Sequence, residues 1–76
     1  MSKAEMKARK MIAGLSVKSL VEQFELTEVI EDESISMVRG WLMDELEKRD
    51  PKAFDKWMDD YADSPRAYFL REEVRA

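Results

Sequence analysis

The apolar residues of this chain recur every three or four positions, the spacing that places side chains on one face of a helix. Residues 51–62 show the clearest pattern, with apolar side chains at i, i+3, i+4 and i+7: Phe54, Trp57, Met58 and Tyr61. Residues 35–49 carry a second stripe: Ile35, Val38, Leu42 and Leu46. We predict two core helices from these stripes. The residues at their centres are expected to be buried together: Phe54, Trp57, Leu42 and Leu46.

Short polar residues and prolines indicate where the helices begin. Asp50-Pro51 and Ser64-Pro65 each place a side-chain acceptor at an N-cap and a proline at the first helical position. The other candidate caps are Ser2, Ser16 and either Ser34 or Ser36, and Gly14 is a candidate C-terminal stop. The sequence therefore predicts five helices, at about residues 3–13, 17–27, 35–49, 51–62 and from 65 towards 74.

The absence of strand-like alternation indicates an all-α fold, a small bundle of about four to five short helices. We expect a single domain over residues 1–76, with a basic N-terminal helix at 1–14 and a helical core at 15–76. A chain of 76 residues buries only about 60% of its unfolded surface, so its stability is marginal. No cysteine is present to form a stabilising disulfide.

The segment that follows Thr27 has two interpretations. Residues 17–24 carry one apolar stripe, but Leu26, Val29 and Ile30 fall on the opposite side of the same helical wheel. Either the helix ends near Thr27 and a loop buries these aliphatic residues, or a longer helix presents a second apolar face to a partner. Ordinary helix lengths favour the first interpretation.

The composition excludes much chemistry. Without histidine the chain lacks the usual general base near neutral pH, and without cysteine it lacks a thiolate nucleophile or ligand. The two glycines form no phosphate-binding loop, and Asp59, Asp60 and Asp63 lack the spacing of a calcium loop. We therefore predict a non-enzymatic protein with no cofactor and no metal. The longest apolar run is three or four residues, so we expect a soluble, cytoplasmic protein that does not enter a membrane.

Charge is distributed unevenly along the chain. Residues 1–18 carry five cations against one anion, whereas residues 19–63 carry five cations against fourteen anions. The twelve residues 22–33 hold six acidic side chains and no cation, and we take these as a candidate acidic binding face: Glu22, Glu25, Glu28, Glu31, Asp32 and Glu33. Two interpretations are open: such a run imitates phosphates and binds a protein with a basic surface, or it is a solvated face.

Four apolar residues are candidate neighbours of this acidic face: Met37, Trp41, Val29 and Ile30. Methionine and aromatic side chains are enriched where proteins meet, although a tryptophan in so small a chain is more often part of the core. Met37 and Trp41 are expected beside the apolar stripe of residues 35–49, with Met43 pointing away from it. A homodimer is an open alternative.

Nucleic-acid binding is the alternative function. Residues 36–42 resemble the start of a recognition helix in small helix-turn-helix repressors, and the helix at 17–27 would precede it. The connector, at about eight residues, is longer than this motif needs, and it carries acidic side chains where DNA phosphates would lie. Apart from this motif, the only candidate for nucleic-acid contact is the N-terminal Lys/Arg arm: Lys3, Lys7, Arg9 and Lys10.

Three stretches of the chain resemble small helical proteins encoded by phages and integrative elements of Gram-positive bacteria. They are residues 11–16 (MIAGLS), 38–49 (VRGWLMDELEKR) and 53–58 (AFDKWM). The resemblance implies an accessory protein of a mobile element and carries over no functional residue. Small acidic proteins from such sources include inhibitors of host defence, some of which mimic DNA. The expected activity is therefore stoichiometric inhibition of a host defence or nucleic-acid-handling protein.

Overall fold

Residues 2–70 are described by the structure, a computed structural model, and they form five α-helices with no β-strand. In chain order these are α1 (Lys3–Ala13), α2 (Val17–Thr27), α3 (Ile35–Arg49), α4 (Pro51–Asp60) and α5 (Arg66–Phe69). The all-α bundle is as predicted. The fifth predicted helix is shorter than expected, because Leu70 already leaves helical geometry. Its predicted last residues, 71–74, lie outside the described part of the chain.

Side-chain caps account for the starts of three helices. The Ser2 and Ser16 hydroxyls each accept a hydrogen bond at 3.1 Å from a backbone N–H three residues later. The Asp50 carboxylate accepts one at 3.1 Å from Ala53 N–H, and Pro51 occupies the first helical position. These three predicted caps are confirmed, as is the end of α1 before Gly14.

Two predicted caps act differently from the expectation. Ser34 occupies the position before α3 but has helical backbone angles, so its side chain does not cap. Its hydroxyl and its backbone N–H instead donate to the Asp32 carboxylate, both at 2.8 Å. Ser64 does not occupy the N-cap of α5, because the helix begins at Arg66, one residue later than predicted, and Pro65 takes the N-cap position; the Ser64 hydroxyl still accepts at 3.2 Å from Arg66 N–H. In both cases the serine hydroxyl takes part in hydrogen bonds of the turn that precedes the helix.

Trp57 lies at the centre of the core. Its indole ring makes edge-to-face contacts with Phe24, Phe54 and Phe69, with ring centroids 5.1, 5.8 and 6.4 Å apart. Its indole N–H donates to the Ala62 carbonyl at 2.8 Å, so the buried polar atom is satisfied. The other fully buried aliphatic residues around it are Leu20, Val21, Leu42 and Leu46. Of the predicted central residues only Phe54 is half-buried rather than buried.

Helix α1 is held against α3 by two arginines. Arg9 bonds to Glu5 within α1 at 3.0 Å and reaches Asp44 of α3 at 3.2 Å. Arg49, at the end of α3, donates to the carbonyls of Ala13 and Leu15 at 3.0 and 2.7 Å. The first of these bonds satisfies a carbonyl that the end of α1 leaves without a helical partner, and the second holds the turn that follows the helix. Ile12 completes the attachment by entering the core cluster.

Tyr61 and Met43 do not lie where the periodicity predicts. Tyr61 is 91% exposed, because α4 ends at Asp60 and Tyr61 adopts the left-handed conformation at φ 53°. That conformation turns the chain, so the helical wheel no longer applies to this side chain. Met43, expected to point away from the core, is half-buried against it because α2 and α4 both pack on α3 and cover more than one stripe.

Helix α2 ends at Thr27, as the favoured interpretation predicts, but the aliphatic residues that follow are not buried. Thr27 is buried and its hydroxyl donates to the Phe24 carbonyl at 2.5 Å. Leu26 is exposed, Val29 is 76% exposed and Ile30 is 45% exposed. The expectation that a loop would bury them is wrong, since all three side chains are exposed and none of them joins the core cluster.

Candidate protein-binding surfaces

The structure divides the acidic run into parts with different surroundings. Glu22 and Glu25 lie on α2, Glu28 occupies the position directly after that helix, and the remaining three acidic residues lie in the connector to α3. We call residues 28–33 the acidic loop. Every acidic side chain of the run is exposed except that of Glu25, which is half-buried.

Glu25 is part of the fold rather than of an open acidic face. Its carboxylate accepts from the Arg66 guanidinium at 2.7 and 3.0 Å and from the Ser64 hydroxyl at 2.8 Å. The hydrogen bonds from Arg66, together with that from Ser64, hold the pKa of Glu25 below its usual value against the opposing effect of its partial burial. This pair joins α2 to the start of α5 across 41 positions of sequence, a contact that local pattern does not reveal.

Asp32 shapes the acidic loop while remaining exposed. Its carboxylate accepts from the backbone N–H and the hydroxyl of Ser34, and these bonds lower the pKa of Asp32. The Asp32 carbonyl accepts from Ile35 N–H at 3.0 Å, which starts the first turn of α3. Asp32 therefore keeps its charge while fixing the turn that leads into the helix.

The four remaining carboxylates have no cationic partner among residues 2–70: Glu22, Glu28, Glu31 and Glu33. Each is exposed: Glu22 lies in the middle of α2, whereas the other three lie with Asp32 in the acidic loop, where they concentrate negative charge. Val29 and Ile30 are exposed between them. Mutual repulsion of the carboxylates and exposure of the aliphatic residues both disfavour this loop in the isolated protein.

The candidate apolar neighbours separate into two locations. Val29 and Ile30 belong to the acidic loop, whereas Trp41 lines a groove between α1, α2 and α3, and Met37 is exposed one turn before it on α3. We call this space, about 340 Å³ in volume, the α1–α3 groove. Its lining is almost entirely apolar: Ala8, Met11, Ile12, Leu15, Gln23, Val38, Trp41 and Leu42.

Trp41 is both a core residue and a surface residue. The side chain is half-buried and packs against the core cluster, as expected of a core tryptophan. It also forms a wall of the groove. Within residues 2–70 its indole N–H has no hydrogen-bond acceptor, unlike that of Trp57. A tryptophan in this setting offers a partner both apolar area and one donor.

The contribution of α1 to the groove is the part that sequence pattern misses. Met11 is 67% exposed yet lines the groove, and Ala8 leaves space because its side chain is small. The available signal is the spacing of Ala4, Ala8 and Met11, which places small and apolar residues on one side of α1. This pattern also fits an ordinary docking helix, so it does not identify a groove by itself.

The elements of a helix-turn-helix site are arranged unfavourably for DNA. Arg39, the only cation in the first ten residues of α3, is half-buried with its guanidinium 5.0 Å from the centroid of the Phe24 ring. The connector between α2 and α3 spans residues 28–34 and carries the exposed carboxylates. The N-terminal lysines Lys3, Lys7 and Lys10 are exposed and form no ion pair within the described part of the chain.

Residues 2–70 contain no group of three or more acidic side chains placed to hold a metal ion. No helix in the same range is both long enough and apolar enough to cross a bilayer. No family model, curated protein or solved structure matches this chain.

Proposed function

We propose that this protein is a non-enzymatic, protein-binding module of a phage or mobile element, which acts in the cytoplasm on a host protein with a basic surface. The target class is a defence or nucleic-acid-handling protein, inhibited stoichiometrically by occupation of the surface that normally contacts phosphates. The observation that carries the proposal is the acidic loop, whose carboxylates are exposed and without cationic partners within residues 2–70.

Repulsion among the carboxylates of the acidic loop destabilises the isolated protein, and a basic partner relieves it. Carboxylates crowded at one end of the bundle repel one another, and a basic partner turns this repulsion into attraction. Long-range attraction also accelerates association, which suits an inhibitor that must compete with nucleic acid for the same surface. Val29 and Ile30, exposed among the carboxylates, supply apolar area at the centre of such a contact.

The alternative is a small helix-turn-helix regulator of DNA. The half-buried position of Arg39 over Phe24 and the negative charge of the connector weigh against it, because phosphate neutralisation supplies most non-specific DNA affinity. A gel shift with random duplex DNA at low salt distinguishes the two functions. The regulator predicts retention that declines steeply with salt, whereas the inhibitor predicts no retention.

A pair of triple variants tests the acidic loop. The loop variant carries Glu28→Lys, Glu31→Lys and Glu33→Lys, and leaves Glu25 intact because it pairs with Arg66. The control variant makes the same change in net charge at exposed acidic residues of α3 and α4: Glu47→Lys, Asp55→Lys and Asp59→Lys. Each protein is immobilised and exposed to lysate of a Gram-positive bacterium at low and high salt, and captured proteins are identified by mass spectrometry.

We expect the parent and the control variant to retain the same protein in a salt-sensitive manner, and the loop variant to lose it. Purification of that protein then allows association rates to be compared, and the loop variant should associate at least tenfold more slowly. Equal capture by both triple variants would contradict the proposal, since it would place the interface away from the acidic loop.

A further inference from the structure

The α1–α3 groove is an apolar surface that the fold leaves open. Its walls come from three helices, and the most exposed of its apolar lining residues is Met11 on α1. Trp41 forms the facing wall on α3, and Met37 extends the apolar surface by one further turn of that helix. Removal of this apolar area from water stabilises a complex.

The shape of the groove suits side chains presented by a helix. Val38, Trp41 and Leu42 stand at i, i+3 and i+4 on α3, and Ala8, Met11 and Ile12 repeat that spacing on α1. Two such rows enclose a channel into which the i, i+3, i+4 and i+7 side chains of a third helix fit. The volume of about 340 Å³ accommodates a few apolar side chains, and Gln23 is the polar residue of the lining.

Negative charge at one end of the groove favours a partner with basic residues at that end. The Ser34 carbonyl, directly after the acidic loop, accepts from the N–H of Val38, which lines the groove, at 3.4 Å. The acidic loop therefore lies one helical turn from that end of the groove, and Glu22 is exposed beside Gln23. None of the exposed lysines of α1 lines the groove. The groove is apolar along its length and negatively charged at the end formed by α2 and α3.

We propose that the α1–α3 groove binds an amphipathic helix of the partner protein, with apolar anchors along the groove and basic residues at the end next to the acidic loop. The inference rests on the proposed function, because the same basic partner contacts the acidic loop. It adds a second point of contact. Apolar anchors determine how long the complex lasts, while the carboxylates determine how fast it forms.

Synthetic peptides provide the probe. The first peptide is a helix with leucines at i, i+3, i+4 and i+7 and three lysines at one end; the second replaces those lysines with glutamates; the third replaces the leucines with serines. Binding is followed by two-dimensional ¹⁵N NMR at low salt, with the Trp41 indole N–H and the Gln23 side-chain amide as reporters of the groove. The Trp57 indole N–H, buried and bonded to Ala62, serves as the internal control.

A matched pair of protein variants locates the site. Met11→Gln replaces a groove residue, and Met6→Gln replaces an equally apolar α1 residue that is 57% exposed and does not line the groove. Glutamine is similar to methionine in helix propensity, so both variants should fold. We expect the lysine peptide to shift both reporters and to bind at least tenfold more tightly than the other two. Met11→Gln should weaken binding at least tenfold, and Met6→Gln less than twofold.

Each of three results with peptide overturns the inference: no shift of the groove reporters with the lysine peptide, equal affinity of the lysine and glutamate peptides, or equal affinity of the two methionine variants. Concentration-dependent shifts of the groove reporters in the absence of peptide also overturn it, because a second copy of this chain would then be the occupant.

If the groove inference fails while the loop variant still loses its captured protein, the proposed function stands without the groove. If the lysine peptide binds as expected but the loop variant captures like the parent, the proposed function is the part that fails.

Discussion

The Glu25 carboxylate and the Arg66 guanidinium form a bidentate ion pair, with Arg66 Nη2 2.7 Å from Glu25 Oε1 and Arg66 Nε 3.0 Å from Glu25 Oε2. The pair connects α2 to α5, a helix of only four residues that has little stability of its own. Fixing α5 also places Phe69 against Trp57. The ion pair therefore contributes to closing one side of the core.

A double-mutant cycle should detect this coupling. We expect Glu25→Ala and Arg66→Ala each to lower the free energy of unfolding, and the double variant to lose less than the sum of the two. The coupling free energy should be about 0.5–1 kcal/mol, near the upper limit for exposed ion pairs. The bidentate geometry and the partial burial of both side chains are the reasons. Urea denaturation followed by circular dichroism measures it. Strict additivity would contradict a coupling between the two residues.

The pH dependence of stability should show the same pair. Because Arg66 lowers the pKa of Glu25 in the folded state, the unfolded chain binds a proton more readily at this position. The stabilisation is thus complete well above the ordinary glutamate pKa of about 4.3 and is lost as the pH falls below it. Glu25→Gln should be less stable than the parent at pH 7. The difference should disappear towards pH 3, as unfolding curves across this range can verify.

Trp57 should be the most sensitive core position. It is nearly fully buried, contacts three aromatic rings and donates a hydrogen bond to Ala62, so Trp57→Ala leaves both a cavity and an unpaired carbonyl. We expect a loss of about 3–5 kcal/mol, a large part of the whole stability of a domain this small. Thermal unfolding is the measurement. Trp41→Ala, at the half-buried tryptophan, serves as the control and should cost less than half as much. A Trp57→Ala protein that melts like the parent would refute this account of the core.

The helix starts can be predicted because caps are local. Ser2, Ser16 and Asp50 each act within three residues of their own position, so short sequence windows contain the whole interaction. The buried stripe of α3 follows equally well, since Leu42 and Leu46 lie in the interior of a long regular helix. Local physical chemistry thus accounts for the starts of α1, α2 and α4 and for the buried stripe of α3.

The remaining features depend on contacts between distant parts of the chain. Glu25 looks like one more member of an acidic run until Arg66, 41 positions later, is brought beside it. Tyr61 continues the apolar stripe of α4 in sequence, but the left-handed turn at that residue removes it from the helix. The α1–α3 groove requires the relative placement of three helices, which periodicity along one helix does not specify.

Substitutions at Glu28 and Glu33 test whether the carboxylates of the acidic loop lower the stability of the folded protein. Glu28 follows α2 directly, at a helix C-terminus whose last turn holds no basic residue, so its charge opposes the helix dipole. Replacing it with lysine removes that conflict and some repulsion within the loop, and should raise stability by about 0.3–1 kcal/mol at low salt. Glu33 precedes α3, where negative charge is favourable, so Glu33→Lys should give no gain. Thermal unfolding at low salt and in 1 M NaCl measures both, and salt should remove the gain of Glu28→Lys. If Glu28→Lys stabilises the fold but slows association with the captured partner, the glutamate is retained for binding; if it destabilises the fold, the loop is part of the scaffold instead.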